Sequence, residues 1–480
     1  MMSLLALAAA AAATPAVTAD CAGGLCGYPA LKSYFEKLAT SRGRSGKPVH
    51  ILQIGDSHTA GDAITGAWRE MLQARYGSGG RGVMPPGKPF NGYNPRGVSV
   101  DMSDGWSIAS IFGPGSQSPR PPIGLSAYSL TSTRDGARIS MVAGANEQFD
   151  RFVVCALAQP GAGTLAISIG GKTERMDLNA FLSRPECKEL TFDSPQVAVS
   201  VVAEGNPVTI TSWASFRDAG GVALSNVGVV GSQLVHFSRN DDAVVAEELR
   251  SYDPDLIVVA FGTNEGFAPR IAPQEYEITL RTQIGRIRRL AGRVPILLLG
   301  APDALTRRSE LLSNAPTVTP APCLEPAPLP PTAPVAQTPP PSQAAPDSIE
   351  DILGELEAQA TQTVDGRRMI TTPPPATAPV LAPPPVTQPT QIGWSITARP
   401  LFPPAGLKMV RDVQRRVAQQ LRLGFWDWEA RMGGRCTAVS WVKLQPTRMR
   451  GDYVHFNSLG GQEIATRLQT DLDAAAGAVR

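Results

Sequence analysis

Residues about 29–97 and 216–312 alternate strand-length apolar runs with helix-length amphipathic ones, and that rhythm leaves few folds open. A helix-like stretch at 31–38 precedes the run His50-Ile51-Leu52-Gln53-Ile54, which has the length and pattern of a buried strand. A helix over 62–75 follows. Farther on come a strand at 223–230, a helix near 241–251, and the strand Leu256-Ile257-Val258-Val259-Ala260-Phe261. A helix over 273–291 and the strand Pro295-Ile296-Leu297-Leu298-Leu299 close the series. Strands separated by helices predict a parallel sheet covered on both faces. In such open sheets ligands meet the carboxyl ends of the strands.

Two segments break the rhythm. Residues about 98–215 carry short runs bounded by Gly, Pro and Asp, such as Phe152-Val153-Val154-Cys155-Ala156-Leu157 and Val208-Thr209-Ile210-Thr211-Ser212-Trp213. Short strands with no helix between them predict a β-sandwich inserted in the α/β domain. Trp106 and Trp213 are candidates for glycan contact there, with core packing as the alternative for each. Residues 316–389 hold 20 of the 44 prolines, a composition that cannot form a packed core. Within that tract, 347–357 has the apolar spacing of a short amphipathic helix. The expected organisation is three pieces of one α/β domain at 28–97, 216–312 and 392–480. The sandwich lies at 98–215 and the proline-rich insert at 313–391.

Three short words stand at the ends of these elements: Gly55-Asp56-Ser57-His58, Gly262-Thr263-Asn264-Glu265 and Asp452-Tyr453-Val454-His455. A serine hydroxyl does not ionise near neutrality and needs an imidazole to take its proton during attack. The chain has 4 histidines: His50, His58, His236 and His455. Asp452 stands three residues before His455, where a carboxylate can fix one ring nitrogen and leave the other for Ser57. The Ser57 N–H, a glycine N–H and the Asn264 amide are candidate donors to the oxyanion of a tetrahedral intermediate.

With the block Asn226-Val227-Gly228-Val229-Val230-Gly231, these words resemble the SGNH (GDSL-type) hydrolase superfamily. Singly each word is common; four in this order are specific. The resemblance implies a three-layer α/β sandwich with a parallel sheet. It implies a triad of Ser57, His455 and Asp452, and an oxyanion hole of Ser57, Gly231 and Asn264, with Gly228 as the off-register alternative to Gly231. His58 replaces the leucine usual after the serine, as in a bacterial cell-surface branch. The stretch Gly55-Asp56-Ser57-His58-Thr59-Ala60-Gly61-Asp62, Tyr76-Gly77-Ser78-Gly79-Gly80-Arg81-Gly82, and Phe425-Trp426-Asp427-Trp428 look like the peptidoglycan O-acetylesterase branch. That branch implies removal of acetyl groups from muramic acid O6, no cofactor, and a carbohydrate-binding-module-like β domain between the first two blocks. The resemblance covers about 28–312 and 392–475. An O-acetyltransferase and a non-catalytic wall-binding protein are the alternatives.

The remaining histidines and acids have plainer readings. Adjacent residues project apart, so His58 is expected to make a structural hydrogen bond. His50 and His236 are expected to be structural or surface groups, and Asp56 to fix the turn. Glu265 is either a surface carboxylate or a substrate-side group, with a structural role favoured. The 6 cysteines suit an oxidising compartment, and Cys21–Cys26, Cys155–Cys187 and Cys323–Cys436 form one of fifteen possible pairings. No Cys/His cluster has zinc-site spacing. Residues 1–19 read as a signal peptide ending in Val17-Thr18-Ala19, which predicts release into the periplasm with no membrane span; an uncleaved anchor is the alternative. A net charge of +2 with 18% charged residues describes an ordinary soluble surface and no nucleic-acid partner. The expected partner is O-acetylated cell-wall glycan.

Overall fold

The computed structural model describes residues 21–43, 45–268, 271–307, 321–324 and 400–479. The expected signal peptide, the helix at 347–357 and nearly all of the proline-rich tract lie outside the described residues.

Five parallel strands form the central sheet, in the spatial order Val222–Gly228, Val49–Gly55, Leu256–Ala260, Ile296–Leu299 and Gly424–Trp426. Every residue of Val49–Gly55 and Leu256–Ala260 is buried, as helices on both faces require. The strand period of two divides their side chains between two cores. Ile51, Val258 and Leu297 face one core with the helices Lys32–Ser41, Ala63–Tyr76 and Ser458–Val479. Leu52, Val259 and Leu298 face the other with Asp242–Tyr252, Pro273–Ala291 and Ala405–Leu421. The result is a three-layer α/β sandwich. The hairpin Cys21–Ala22 and Leu25–Cys26 covers the exposed edge of Gly424–Trp426 by antiparallel pairing.

The inserted β-sandwich has two antiparallel sheets. One orders Lys172–Asp177, Thr164–Ile169, Ala198–Glu204, Arg138–Ala143 and Val98–Met102. The other orders Arg184–Gln196, Phe149–Ala158, Thr209–Phe216, Tyr128–Ser132 and Trp106–Ser110. Gly82–Met84 also pairs with Thr209–Phe216, so the sheet begins upstream of the expected boundary at 98. Alternation along Phe149–Ala158 explains how the two domains join. Phe152 and Val154 point into the sandwich core, while Val153 and Cys155 pack with the helices of the α/β domain. Its strands Phe149–Ala158 and Thr209–Phe216 are therefore buried on both faces. Trp213 is 0% exposed in the sandwich core, which removes it as a glycan contact. Trp106 lies half-buried at the edge, its indole N–H donating to the Arg138 carbonyl at 3.3 Å.

All three cysteine pairs anticipated from sequence form disulfides: Cys21–Cys26, Cys155–Cys187 and Cys323–Cys436. Among the described residues no helix is long and apolar enough to cross a membrane.

Candidate active site

Ser57 is the first residue of a short helix, Ser57–Ala60, directly beyond the carboxyl end of Val49–Gly55. Asp56 caps that helix by accepting the His58 N–H at 3.0 Å, so its carboxylate fixes the turn. The Asp452–His455 segment arrives from the other side of the molecule. Asp452 Oδ1 accepts the N–H groups of Val454 and His455, both at 2.9 Å, and this locks a tight turn in which Tyr453 adopts φ 60°. The second carboxylate oxygen, Oδ2, lies 2.7 Å from His455 Nδ1. The opposite ring nitrogen, Nε2, lies 2.9 Å from Ser57 Oγ. A proton on Nδ1 is held by the carboxylate, and the Nε2 lone pair is left facing the serine hydroxyl.

Burial depresses the His455 pKa below the ordinary imidazole value, and this outweighs the upward pull of Asp452. The neighbouring His58 charge adds to the depression. Burial would raise the Asp452 carboxyl, but its bonds to His455 hold it below the usual range. An anionic Asp452 beside a neutral His455 is the state a general base requires.

His58 is placed differently. Its Nε2–H donates to the Val454 carbonyl at 3.0 Å, and Nδ1 faces Asp56 Oδ1 at 3.3 Å. Its ring stacks on His455 at 5.3 Å, with Trp428 and Phe456 also against it. Both nitrogens are engaged away from Ser57, so His58 is a strut between the serine turn and the histidine loop. His50 is buried, with Nδ1 on the Tyr252 carbonyl and Nε2 on Ser225 Oγ; burial lowers its pKa to about 4.

The glycines of the second block divide by position. Gly228 is the last residue of its strand; a Cβ there would stand 2.6 Å from Asp56 O and from Ala60 N, so only glycine lets strand and serine helix touch. Gly231 lies in the turn beyond with φ 75°. The next residue, Ser232, offers its carbonyl to Asn264 Nδ2 at 2.9 Å, which brings Gly231 and Asn264 to one loop. One amide hydrogen of Asn264 is used in that bond, and the group carries a second.

Glu265 is buried, which rules out the surface reading. One of its oxygens accepts the Leu234 N–H at 2.7 Å, and burial raises its pKa to about 7. Sequence reading also missed a buried charge cluster beneath the serine helix. Burial alone would raise the Asp62 carboxyl, but Arg69 and Arg81 pull it down to about 2. Arg81 also donates to Asn226 Oδ1 at 2.7 Å, and Asn226 Nδ2 donates to the Thr59 carbonyl at 3.0 Å. No periodicity or spacing links Asp62, Arg81 and Asn226; only the fold does.

The parallel sheet covered by helices, with a β-sandwich inserted in it, is a three-layer fold of the SGNH type, and Ser57, His455 and Asp452 meet at the carboxyl end of its strands. No protein-family model and no curated protein matches the chain. Among solved structures, the fold is similar to a peptidoglycan O-acetylesterase with a TM-score of 0.64 at 22% identity, covering 95% of this chain and 100% of that one. A family two carbohydrate esterase from Cellvibrio japonicus aligns at a TM-score of 0.17 and 15% identity, over 45% of this chain and 83% of that one. A GDSL-like lipase from Parabacteroides merdae aligns at 0.27 and 12%, over 53% and 74%. The first likeness establishes the architecture; the other two scores carry no argument.

Proposed function

We propose that the chain is a serine esterase that removes O-acetyl groups from cell-wall glycan, with the O6 acetyl of peptidoglycan muramic acid as its substrate. The observation that carries this reading is the continuous hydrogen-bonded series Ser57 Oγ, His455 Nε2, His455 Nδ1, Asp452 Oδ2, at 2.9 and 2.7 Å. The similarity in fold to a peptidoglycan O-acetylesterase supports the choice of substrate. Three disulfides among the described residues support an exported, periplasmic protein.

In this mechanism Ser57 Oγ attacks the acetyl carbonyl carbon while its proton passes to His455 Nε2. The carbonyl π pair moves onto oxygen, where the N–H groups of Ser57 and Gly231 and the Asn264 amide receive the negative charge. Collapse of this intermediate breaks the bond to the glycan oxygen, and His455 returns the proton to that leaving group. Water, deprotonated by the same nitrogen, then cleaves acetyl-Ser57 to acetate and regenerates the serine.

Incubation with O-acetylated peptidoglycan plus a deacetylated glycan acceptor, beside acetylated xylan, tests the reading. Free acetate matching the ester lost, released faster from peptidoglycan than from xylan, is the expected result. Acetyl groups on the added acceptor would make the chain a transferase, and faster release from xylan would move the substrate.

A further inference from the structure

The loop that carries Gly231 has no regular secondary structure of its own except the 3-10 helix Leu234–Arg239, so its position depends on what holds it. From the hydrolase side, Val229 N–H donates to the Gly55 carbonyl at 3.1 Å. Asn264 donates to Ser232 O, and Gln233 Nε2 donates back to the Asn264 carbonyl at 3.1 Å. From the other side the clamp is supplied by the sandwich. Phe112, in the connection between Trp106–Ser110 and Tyr128–Ser132, stacks on His236 with ring centres 4.4 Å apart and planes at 20°. The Arg239 guanidinium donates to Ile111 O at 2.9 Å, and Asn240 Nδ2 donates to Gly124 O at 2.7 Å. Val229 itself is buried among Ile111, Ile123 and Tyr128 of the sandwich.

His236 links the two sides. Its Nδ1 accepts the Gln233 N–H at 3.0 Å, and Gln233 is the residue whose side chain reaches Asn264. An accepting Nδ1 must be unprotonated, and burial, with Arg239 beside it, lowers the His236 pKa to about 4. The bond therefore persists at neutral pH. A rigid series runs from a sandwich ring, through an imidazole and a glutamine, to the asparagine and glycine of the proposed oxyanion hole.

We infer that Phe112 and His236 are positioning residues, through which the β-sandwich sets the geometry of the Gly231–Asn264 oxyanion donors. The inference rests on the serine-esterase reading and deepens it. Oxyanion donors act through preorganisation, so loosening their support costs transition-state stabilisation more than substrate binding. The sandwich is then part of the catalytic framework, whatever glycan its surface meets.

The test uses the full chain and 4-nitrophenyl acetate, with Phe112→Ala, His236→Phe (ring kept, acceptor lost) and Asn264→Ala, singly and combined. Phe112→Ala and His236→Phe are each expected to lower kcat about tenfold with little change in KM, the scale of a small misplacement imposed from a distance. In the Asn264→Ala background the further loss from either change should be smaller than in the Asn264 protein, because one of the two donors being positioned is gone and only the Gly231 N–H remains. Phe181→Ala, at a sandwich side chain 93% exposed, should leave kcat unchanged. Wild-type kcat in both positioning variants, or the same fold-loss with and without Asn264, would overturn the inference. Should Phe112→Ala misfold, His236→Phe carries the test alone. Activity that survives Ser57→Ala would instead sink the esterase reading itself, so the two failures are distinguishable.

Discussion

Ser57 has two histidines in its neighbourhood, one adjacent in sequence and one almost four hundred residues away, and hydrogen bonding decides between them. His58 spends both nitrogens on Val454 and Asp56, whereas His455 presents Nε2 to the serine. Replacement of His455 by Ala should remove essentially all ester turnover, while His58→Ala should retain a measurable fraction. Asp452→Asn should match His455→Ala or fall between the two, since it loses orientation and charge but keeps the base. Steady-state rates on a small acetyl ester decide the ranking, and the reverse order would mean the base is misassigned. The same chemistry fixes the sign of the pH response. Under the proposed mechanism activity needs neutral His455, and its depressed pKa should move the acid limb of kcat/KM below the ordinary imidazole value, with activity falling as pH drops through that limb. Asn264→Ala should lower kcat by about a hundredfold to a thousandfold with KM little changed. These residues were legible because each sits in a short word at an element end. The strut role of His58 followed from adjacency alone, but its partners did not, since Val454 is supplied by a distant loop.

At the scale of elements, long apolar runs announced the sheet. Val49–Gly55, Leu256–Ala260 and Ile296–Leu299 are buried on both faces, so their sequences are apolar throughout and easily read. Gly424–Trp426 escaped notice because three residues carry no period, and its place is fixed by pairing with Ile296–Leu299 and by the Trp426 indole donating to Asp471. Gly82–Met84 was missed for the same reason. The junction between sandwich and α/β domain was illegible, because it depends on a polar residue inside an amphipathic helix. Glu248, in Asp242–Tyr252, is 0% exposed and accepts from Leu125 N–H, Thr211 and Ser212, all from the sandwich. Burial pushes its pKa up against those donors. Removing the carboxylate strands the donors without water, so Glu248→Ala should destabilise the fold by about 2–3 kcal/mol. Denaturant unfolding followed by fluorescence checks this, and wild-type stability would contradict the buried-junction account.

Across the whole molecule, a β-sandwich and a proline-rich tract interrupt one α/β domain. The sandwich shares a core with the helices of the α/β domain and packs against the Gly231 loop. Cys323 and Leu401, which flank residues 325–399, meet: the Cys323 N–H donates to the Leu401 carbonyl at 2.7 Å, and Cys323 is disulfide-bonded to Cys436. Because those ends already meet, replacing 325–399 with a short Gly-Ser linker should preserve folding and small-ester turnover. Loss of turnover in a well-folded deletion would show that the tract shapes the site. Composition made the tract evident, but not that Cys323 and Leu401 on either side of 325–399 pair, which only the three-dimensional structure reveals. The central claim is that Ser57 is the nucleophile of an acetylesterase acting on cell-wall glycan. Acetate release from O-acetylated peptidoglycan by wild type and by folded Ser57→Ala protein tests it most directly. The account predicts release by wild type and a loss of several orders of magnitude in the variant; comparable release by both proteins would contradict it.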